Sequence, residues 1–500
     1  MTALREGAAR AASALAAIAR RHWLFLVLLV AGAVLRAVTF FAYRPALLYY
    51  DSIPYLDNAE QLHPFSIRPA GYAIFLRILP LENELAVVPF VQHLLGLAIA
   101  VVLYLLLSRL GVPRWLAALA TVPVLLDGYQ LNIEQYVLSE TLFGALIVGG
   151  IALLLWRRPL GLLAASVAGL AFAGAAVTRA SAVLVIVPAV LVLLFLRERP
   201  SRIAALVGAF ALPLAAYAVW FHSYHGTYSI SGYGGRFLYA RVAPFADCSR
   251  FSVPPAERVL CPTQPVGRRP TIEQFMWSEE HSPVYRVAVP PGKTRAQVAG
   301  AFAKRVIRHQ PVDYAKRVVR DVLHGFAPTK SRRRGDLPTA RWQFQLTYPI
   351  YRRNTNAYIR KYGDKRAQSD PRLARFLRDY QSVAYTPGTV LGVALVLALL
   401  AALGVGRARR SGLRSATFLF AAVSLAVYLP TIAANQFTWR YWLPNLVLLG
   451  AAGALGITAL TRRAPSDAGG DGEPPRGAAA APDGNGTEPV SPAAAEPAHR

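Results

Sequence analysis

The chain has 500 residues, of which 54% are apolar and only 16% charged, and its mean hydropathy is +0.35. An ordinary soluble domain carries about 25% charged residues, so these values exclude a disordered chain, a collagen and a disulfide-dense mini-protein, and they argue against a soluble enzyme. The formal net charge is +27 and the pI about 10.5, but the cations lie in short loops between apolar runs and in one long insertion, which points to anionic lipid or a phosphate-bearing substrate and away from nucleic acid.

A bilayer core needs about 20 apolar residues per helix. Ten segments fit or nearly fit: 23–41, 85–107, 115–126, 136–156, 160–177, 182–196, 203–221, 387–405, 416–432 and 442–460. The third is short, so it is expected to tilt or to extend through Asp127–Gln130. Orientation follows from arginine, because short cytoplasmic loops are enriched in it. The first 21 residues carry Arg5, Arg10, Arg20 and Arg21, and the loops 108–114, 157–159, 197–202 and 406–414 and the tail from Thr461 each carry two or more. The intervening turns 127–135, 178–181 and 433–439 hold one at most. Ten transmembrane helices with both termini cytoplasmic satisfy every alternation.

The expected organisation is an N-terminal transmembrane module, 1–222, with a first extracytoplasmic loop at 44–84. An extracytoplasmic basic insertion follows at 223–384, then C-terminal transmembrane helices at 385–460 and a disordered cytoplasmic tail at 461–500. The insertion holds 29 Lys/Arg against 11 Asp/Glu, and loops of this length escape the charge rule. Both cysteines, Cys248 and Cys261, fall in it, where an oxidising exterior permits a disulfide. Within it, 298–308 and 314–323 repeat apolar residues at three and four with basic residues between, the pattern of amphipathic helices resting on anionic lipid. The run from Lys330 reads as a solvated loop. The tail has no apolar period. No internal repeat is visible, which weighs against a transporter.

Candidate chemistry lies where apolar runs end. Asp51 directly follows the first run, and Ser52 and Pro54 suit the start of a short surface helix. Asp51 is then either that helix's cap or an acidic group held where membrane meets water, with Asp57 as a second acidic candidate in the same helix. Glu140, in Leu138-Ser139-Glu140-Thr141-Leu142-Phe143, stands inside an apolar run, where a carboxylate is costly and is a functional candidate by default; its structural alternative is to pair with an arginine and orient helices. Arg179 and Arg440, with the adjacent Tyr441, lie at helix ends, where a guanidinium holds a phosphate by paired hydrogen bonds or else snorkels as an anchor. Arg36 and Arg44 offer a weaker version of the same reading. His222 and His225 are weak candidates for a divalent metal, since two histidines alone do not complete a site.

Together these pieces resemble the GT-C superfamily of membrane glycosyltransferases, in the branch of protein mannosyltransferases, aminoarabinose transferases and rhizobial lipopolysaccharide sugar transferases. The resemblance rests on Asp51 after the first helix, His63-Pro64 with Gly71-Tyr72, the segment Leu138–Phe143, and Arg440-Tyr441. It covers about 20–222 and 386–460. The chain departs from the pattern at Ser52, where many members carry a second acidic residue, and in the insertion, which holds no family motif. The resemblance implies an all-α polytopic GT-C-like bundle of about ten transmembrane helices in the plasma membrane. It implies an extracytoplasmic site that takes a sugar from a polyprenyl-phosphate donor to a glycan, glycolipid or protein acceptor, with inversion. In it Asp51 is the general base, Arg179 or Arg440 steadies the leaving phosphate, and a divalent metal serves in some members. Two other readings stay open: a lipid or polysaccharide transporter or flippase, and a non-catalytic membrane assembly protein.

Overall fold

The structure, a computed structural model, describes residues 2–81, 84–333 and 335–462; the tail beyond Arg462, expected to be disordered, lies outside them. α1 (Thr2–Ala42) leads into the first loop, which holds α2 (Ser52–Glu60) and α3 (Gly71–Ile78). The bundle continues with α4 (Val87–Arg109), α5 (Arg114–Leu125), α6 (Gly128–Gln135), α7 (Glu140–Trp156) and α8 (Leu162–Thr178). A 3-10 turn, Ala180–Val185, then enters α9 (Ile186–Phe195), and α10 (Pro200–His225) follows. The insertion contributes α11 (Gly234–Val242), α12 (Ile272–Trp277), α13 (Arg295–His309), α14 (Pro311–Gly325), α15 (Thr355–Lys361) and α16 (Pro371–Val383). The chain closes with α17 (Gly388–Leu403), α18 (Arg414–Ala434) and α19 (Trp439–Thr461).

Each of the ten apolar segments contains helix, but the fourth, expected from 136, becomes helical only at Glu140, because Tyr136 pairs with Leu47 instead. Among the described residues, five helices are long and apolar enough by themselves to cross a membrane: Ala19–Ala42 of α1, α4, α10, α18 and α19. Two bent pairs, α5 with α6 (49°) and α16 with α17 (48°), raise the number to seven, and α7, α8 and Ala180–Phe195 are shorter apolar helices. By length and composition the chain is a polytopic helical membrane protein. The expected extension of the third segment is the α5–α6 bend. Asp127 caps α6 by accepting from the Tyr129 backbone N–H at 2.8 Å, and all eight residues of α6 are buried in the bundle.

The arginine-bearing loops gather at one end. Arg158 pairs with Glu198 at 3.0 Å, Arg109 donates to the Trp156 carbonyl, and Arg407 reaches the Thr461 carbonyl at 3.4 Å. The first loop and the insertion occupy the opposite end. The insertion is not a body apart from the bundle, for 1–462 forms one compact unit. Its first part has its own core, in which Tyr239, Phe275, Phe302 and Val306 meet. Its second part shares a core with the bundle, where Trp342, Phe344, Ile359 and Leu377 pack with Tyr43, Leu47, Tyr136 and Trp442. A two-residue antiparallel pair, β1 (Tyr43–Arg44) with β2 (Gln368–Ser369), ties its far end to the start of the first loop.

Local sequence explains the insertion's helices. Thr271 with Gln274 and Thr294 with Gln297 form capping boxes at α12 and α13, and α14 and α16 each start on a proline, whose missing N–H costs nothing there. α13 departs from expectation. Its apolar face, with Val298, Phe302 and Val306, is buried in the insertion's own core rather than resting on lipid. The run from Lys330 is a loop with Ser331 and Arg332 exposed, as expected, but Lys330 itself turns inward. Its ammonium sits 4.8 Å from the Tyr129 ring and 4.9 Å from the Trp439 ring, and burial pushes it below its ordinary value while Asp127 partly opposes the shift.

Candidate active site

Two chain segments run side by side at the insertion end and each feeds a helix that opens on a carboxylate. The Leu47 backbone N–H donates to the Gln135 carbonyl at 2.9 Å, and the Val137 N–H donates to the Leu47 carbonyl at 3.0 Å. Ser52 Oγ, expected as a helix cap, locks this pair instead: it accepts from the Tyr49 N–H at 2.8 Å and donates to the Val137 carbonyl at 2.9 Å. Asp51 therefore arrives at the start of α2 and Glu140 at the start of α7, where helix dipoles favour negative charge. Asp51 makes no capping hydrogen bond, so capping is not its structural role.

The Asp51 carboxylate is held by two guanidiniums. Arg68 Nη2 lies 2.6 Å from Oδ1 and Arg440 Nη1 lies 2.5 Å from Oδ2. Burial alone would raise this carboxyl, but Arg68 and Arg440 outweigh it and hold it below its ordinary value of 3.8. Glu140 accepts from both Arg440 and Arg179 on the same oxygen, Oε1. Arg440, only 3% exposed, thus bridges the two carboxylates, with Trp342 of the insertion and Tyr49 flanking its guanidinium at 5.5 and 5.8 Å. Arg440 Nη2 and Glu140 Oε2 are buried and have no hydrogen-bond partner among the described residues. Native buried polar groups are nearly always paired, so each of these two atoms calls for a polar partner that the described side chains do not supply.

The cluster opens on space. A cavity of about 480 Å³ is lined by Asp51, Arg68, Arg440 and Tyr441 from the bundle side and by Glu273 and Trp277 of α12 from the insertion. A neighbouring cavity of about 300 Å³ is lined by Arg179, Ser181, Pro430 and Thr431 and shares Arg68, Asn435 and Tyr441 with the first. Arg179 is steered by the rings of Tyr441 and Phe143, 5.5 and 5.9 Å away. Gly71 explains how α3 comes so near: a Cβ there would lie 2.5 Å from the Val177 carbonyl at the end of α8, so only glycine admits this approach beside Arg179. Its neighbour Tyr72 is buried and donates to Gln92 Oε1 at 2.9 Å.

Asp51, Glu140, Arg179, Arg440 and Tyr441 are thus brought together. Asp57 is not: it accepts from the Tyr358 hydroxyl at 2.6 Å, outside the cavity. His222 and His225 do not form a ligand set. His225 Nε2 meets the Pro64 carbonyl at 2.6 Å, and His222 stacks on Tyr228 at 4.1 Å. Among the described residues no group of three or more His, Cys, Asp or Glu is placed to hold a metal ion. Cys248 and Cys261 are joined by a disulfide.

Two features were missed by sequence reasoning. Arg68 stands in the stretch before Gly71-Tyr72 but carried no signal distinguishing it from Arg77, which binds the Ala59 and Glu60 carbonyls at 2.9 Å. Nor is Glu140 alone as a buried carboxylate. Glu134 on α6 is fully buried and receives both Arg36 Nε and Nη2 at 2.8 Å, His93 Nδ1 at 3.0 Å and Gln130 at 2.9 Å. Arg36 is therefore committed to this ion pair and not to a phosphate, while Arg44 lies over the Phe41 ring at 4.8 Å.

No family model matches the chain, and no curated protein matches it. Among solved structures it is similar to the S. cerevisiae protein O-mannosyltransferase Pmt1-Pmt2 complex bound to the sugar donor, at 15% identity and a TM-score of 0.33 over 50% of this chain. That match spans only 38% of the yeast chain. It is also similar to ArnT from Cupriavidus metallidurans bound to undecaprenyl phosphate, at 15% identity and a TM-score of 0.33, over 87% of this chain and 78% of that one. Likeness at this level does not carry an activity, which has to be argued from the site itself.

Proposed function

We propose that the chain is an inverting glycosyltransferase of the GT-C kind, which moves a sugar from a polyprenyl-phosphate donor to an acceptor hydroxyl. The observation that carries this reading is the ion pair of Asp51 with Arg440 on the wall of the 480 Å³ cavity, at the end of an apolar bundle, with one buried Arg440 nitrogen that has no partner among the described residues. Membrane depth suits a lipid-borne donor, and a buried guanidinium with a free donor suits its phosphate.

In this reading the donor phosphate lies between Arg440 on the wall of the larger cavity and Arg179 on the wall of the smaller one, where the two cavities share Arg68 and Tyr441, and the acceptor enters the larger one. The acceptor oxygen attacks the anomeric carbon as the bond from that carbon to the phosphate oxygen breaks, so configuration inverts. The hydroxyl proton passes to Asp51 as general base. The electron pair of the broken bond stays on the polyprenyl phosphate, whose charge is stabilised by the two arginines. Phosphate is already a good leaving group, so no general acid is required. Arg68 keeps Asp51 ionised and aimed.

The arginine-rich loops make their end of the bundle cytoplasmic under the positive-inside rule. The site then faces the extracytoplasmic side of the plasma membrane, where nucleotide sugars are unavailable and lipid-linked sugars serve cell-envelope glycan or glycoconjugate assembly. The decisive assay presents the purified protein, in lipid, with a panel of polyprenyl-phosphate sugars and measures polyprenyl phosphate released together with glycosylated acceptor. Transbilayer movement of these lipids with no sugar transferred to any acceptor would replace this reading with a transporter.

A further inference from the structure

α13 and α14 share one sequence pattern, yet only α13 spends its apolar face inside the protein. α14 leaves Val312, Val319 and Leu323 exposed at 61%, 55% and 61%. At 3.6 residues per turn these three fall within about 40° of one another around the helix. Lys316 and Arg320, both exposed, lie about 40° and 80° to one side of that stripe, and Ala315 about 60° to the other. The result is an apolar band with a cationic edge along one flank only.

The helix also sits at a definite height. Tyr314 donates its hydroxyl to the Ala433 carbonyl at 3.0 Å, at the last turn of α18. Tyr428, which lies about 7–8 Å further down the α18 axis, donates to the Val322 carbonyl at 3.0 Å. α14 therefore runs down beside the end of a membrane-spanning helix. Its C-terminal end is pressed into the bundle. A Cβ on Gly325 would lie 2.4 Å from the Tyr428 hydroxyl and 2.8 Å from the Trp442 ring, and a Cβ on Gly388 at the start of α17 would lie 2.3 Å from the Gly325 carbonyl. The exposed stripe is thereby fixed at the level where the apolar span ends.

We propose that α14 is an oblique membrane-surface helix that dips along the end of α18, with Val312, Val319 and Leu323 toward the hydrocarbon edge and Lys316 and Arg320 gripping anionic phospholipid headgroups. The helix is held rigidly by its neighbours, so the stripe needs no folding on contact. The one-sided cationic edge is what selects headgroup charge, since apolar burial alone does not distinguish lipids. The inference rests on α18 as a span and is independent of what the cavity does.

The two cysteines of the chain are bonded to each other and none is free, so V319C supplies a lone thiol at an exposed position. A bimane probe there, on the full chain in nanodiscs, is read against lipids brominated on their acyl chains, either phosphatidylglycerol or phosphatidylcholine. Quenching by both is expected, stronger by about twofold or more with brominated phosphatidylglycerol, and that preference disappears in K316Q/R320Q. Quenching by aqueous iodide but by neither lipid would overturn the proposal, because the stripe would then face water. Protection from lipid and iodide alike, growing with protein concentration, would overturn it in favour of a second copy. Equal quenching by the two lipids would overturn the headgroup assignment.

Discussion

Asp51→Asn tests the mechanism through both a rate and an affinity. Three guanidiniums, Arg68, Arg179 and Arg440, face two carboxylates, Asp51 and Glu140, leaving one net positive charge. A polyprenyl-phosphate sugar is a phosphodiester with one negative charge, so donor and cluster balance. After transfer the leaving phosphate is a monoester that carries about 1.5–2 negative charges near pH 7. If Asp51 has taken the acceptor's proton, the cluster now carries two positive charges and balances again. Asp51→Asn has the product-side charge from the start. It should therefore turn over slowly and yet bind polyprenyl monophosphate more tightly than the parent.

Magnitudes follow from the geometry. Loss of a general base costs about 10²–10⁴ in rate. Two anions on opposite nitrogens of one guanidinium lie about 6 Å apart, and at an effective dielectric near 20 their repulsion is about 3 kcal/mol. Without Asp51 the Arg440 side chain is held less firmly, which offsets part of this, so product affinity should rise about tenfold. Turnover of a labelled donor in nanodiscs and titration with polyprenyl monophosphate measure the two effects. Asp57→Asn, whose carboxylate meets Tyr358 outside the cavity, should keep its activity. A variant at Asp51 that turns over at the parent rate refutes the base. One that is slow but binds the monophosphate more weakly than the parent shows that Asp51 serves to hold Arg440 and does not take the proton.

Arg440→Ala and Arg179→Ala should each lower turnover or donor affinity by about ten- to a hundredfold, the worth of a charge-assisted contact of about 1.5–3 kcal/mol; full activity in both variants with a cognate donor would show that neither holds the phosphate. Because Arg68 and Arg440 hold Asp51 below its ordinary 3.8, the stability it contributes is present above the unfolded-state value and is lost as pH falls through the depressed one. The acid limb of kcat/KM for that group should accordingly lie below 3.8, and a limb above it would mean that the pairing does not persist in the working enzyme. Glu134→Gln leaves Arg36 buried with no counter-charge, which costs about 3–5 kcal/mol; thermal unfolding of the purified protein should show it, and an unchanged Tm would mean that Arg36 finds other compensation from the Val124 and Leu125 carbonyls it already touches at 2.9 and 3.1 Å.

How far the site could be read from sequence depended on where each residue stands relative to an apolar run. Arg179 and Arg440 lie at the ends of runs, Glu140 just inside one and Asp51 in the loop after the first, and the ends of antiparallel spans meet in one plane, so residues up to 389 positions apart could be expected together without knowing the packing. Glu134 stands only six residues before Glu140, but in a polar stretch, Gly128–Gln135, that carries no apolar period and so reads as an exposed turn. The chain buries that stretch because most of its polar groups find partners: Arg36 and His93 for Glu134, the Trp342 carbonyl for the Asn132 amide nitrogen, and the Tyr43 carbonyl for Gln135. Those partners come from α1, β1, α4 and the insertion, and burial of a polar segment is decided by such long-range pairing. α13 and α14 make the converse case, since one periodicity gives an inward face in the first and an outward face in the second. What divides them is the company each keeps, the insertion's own core for α13 and the end of a spanning helix for α14. The same logic accounts for Arg68, which differs from Arg77 only in having a carboxylate within reach, and the carboxylate is delivered by the Leu47–Tyr136 pairing, in which no residue bears a charge.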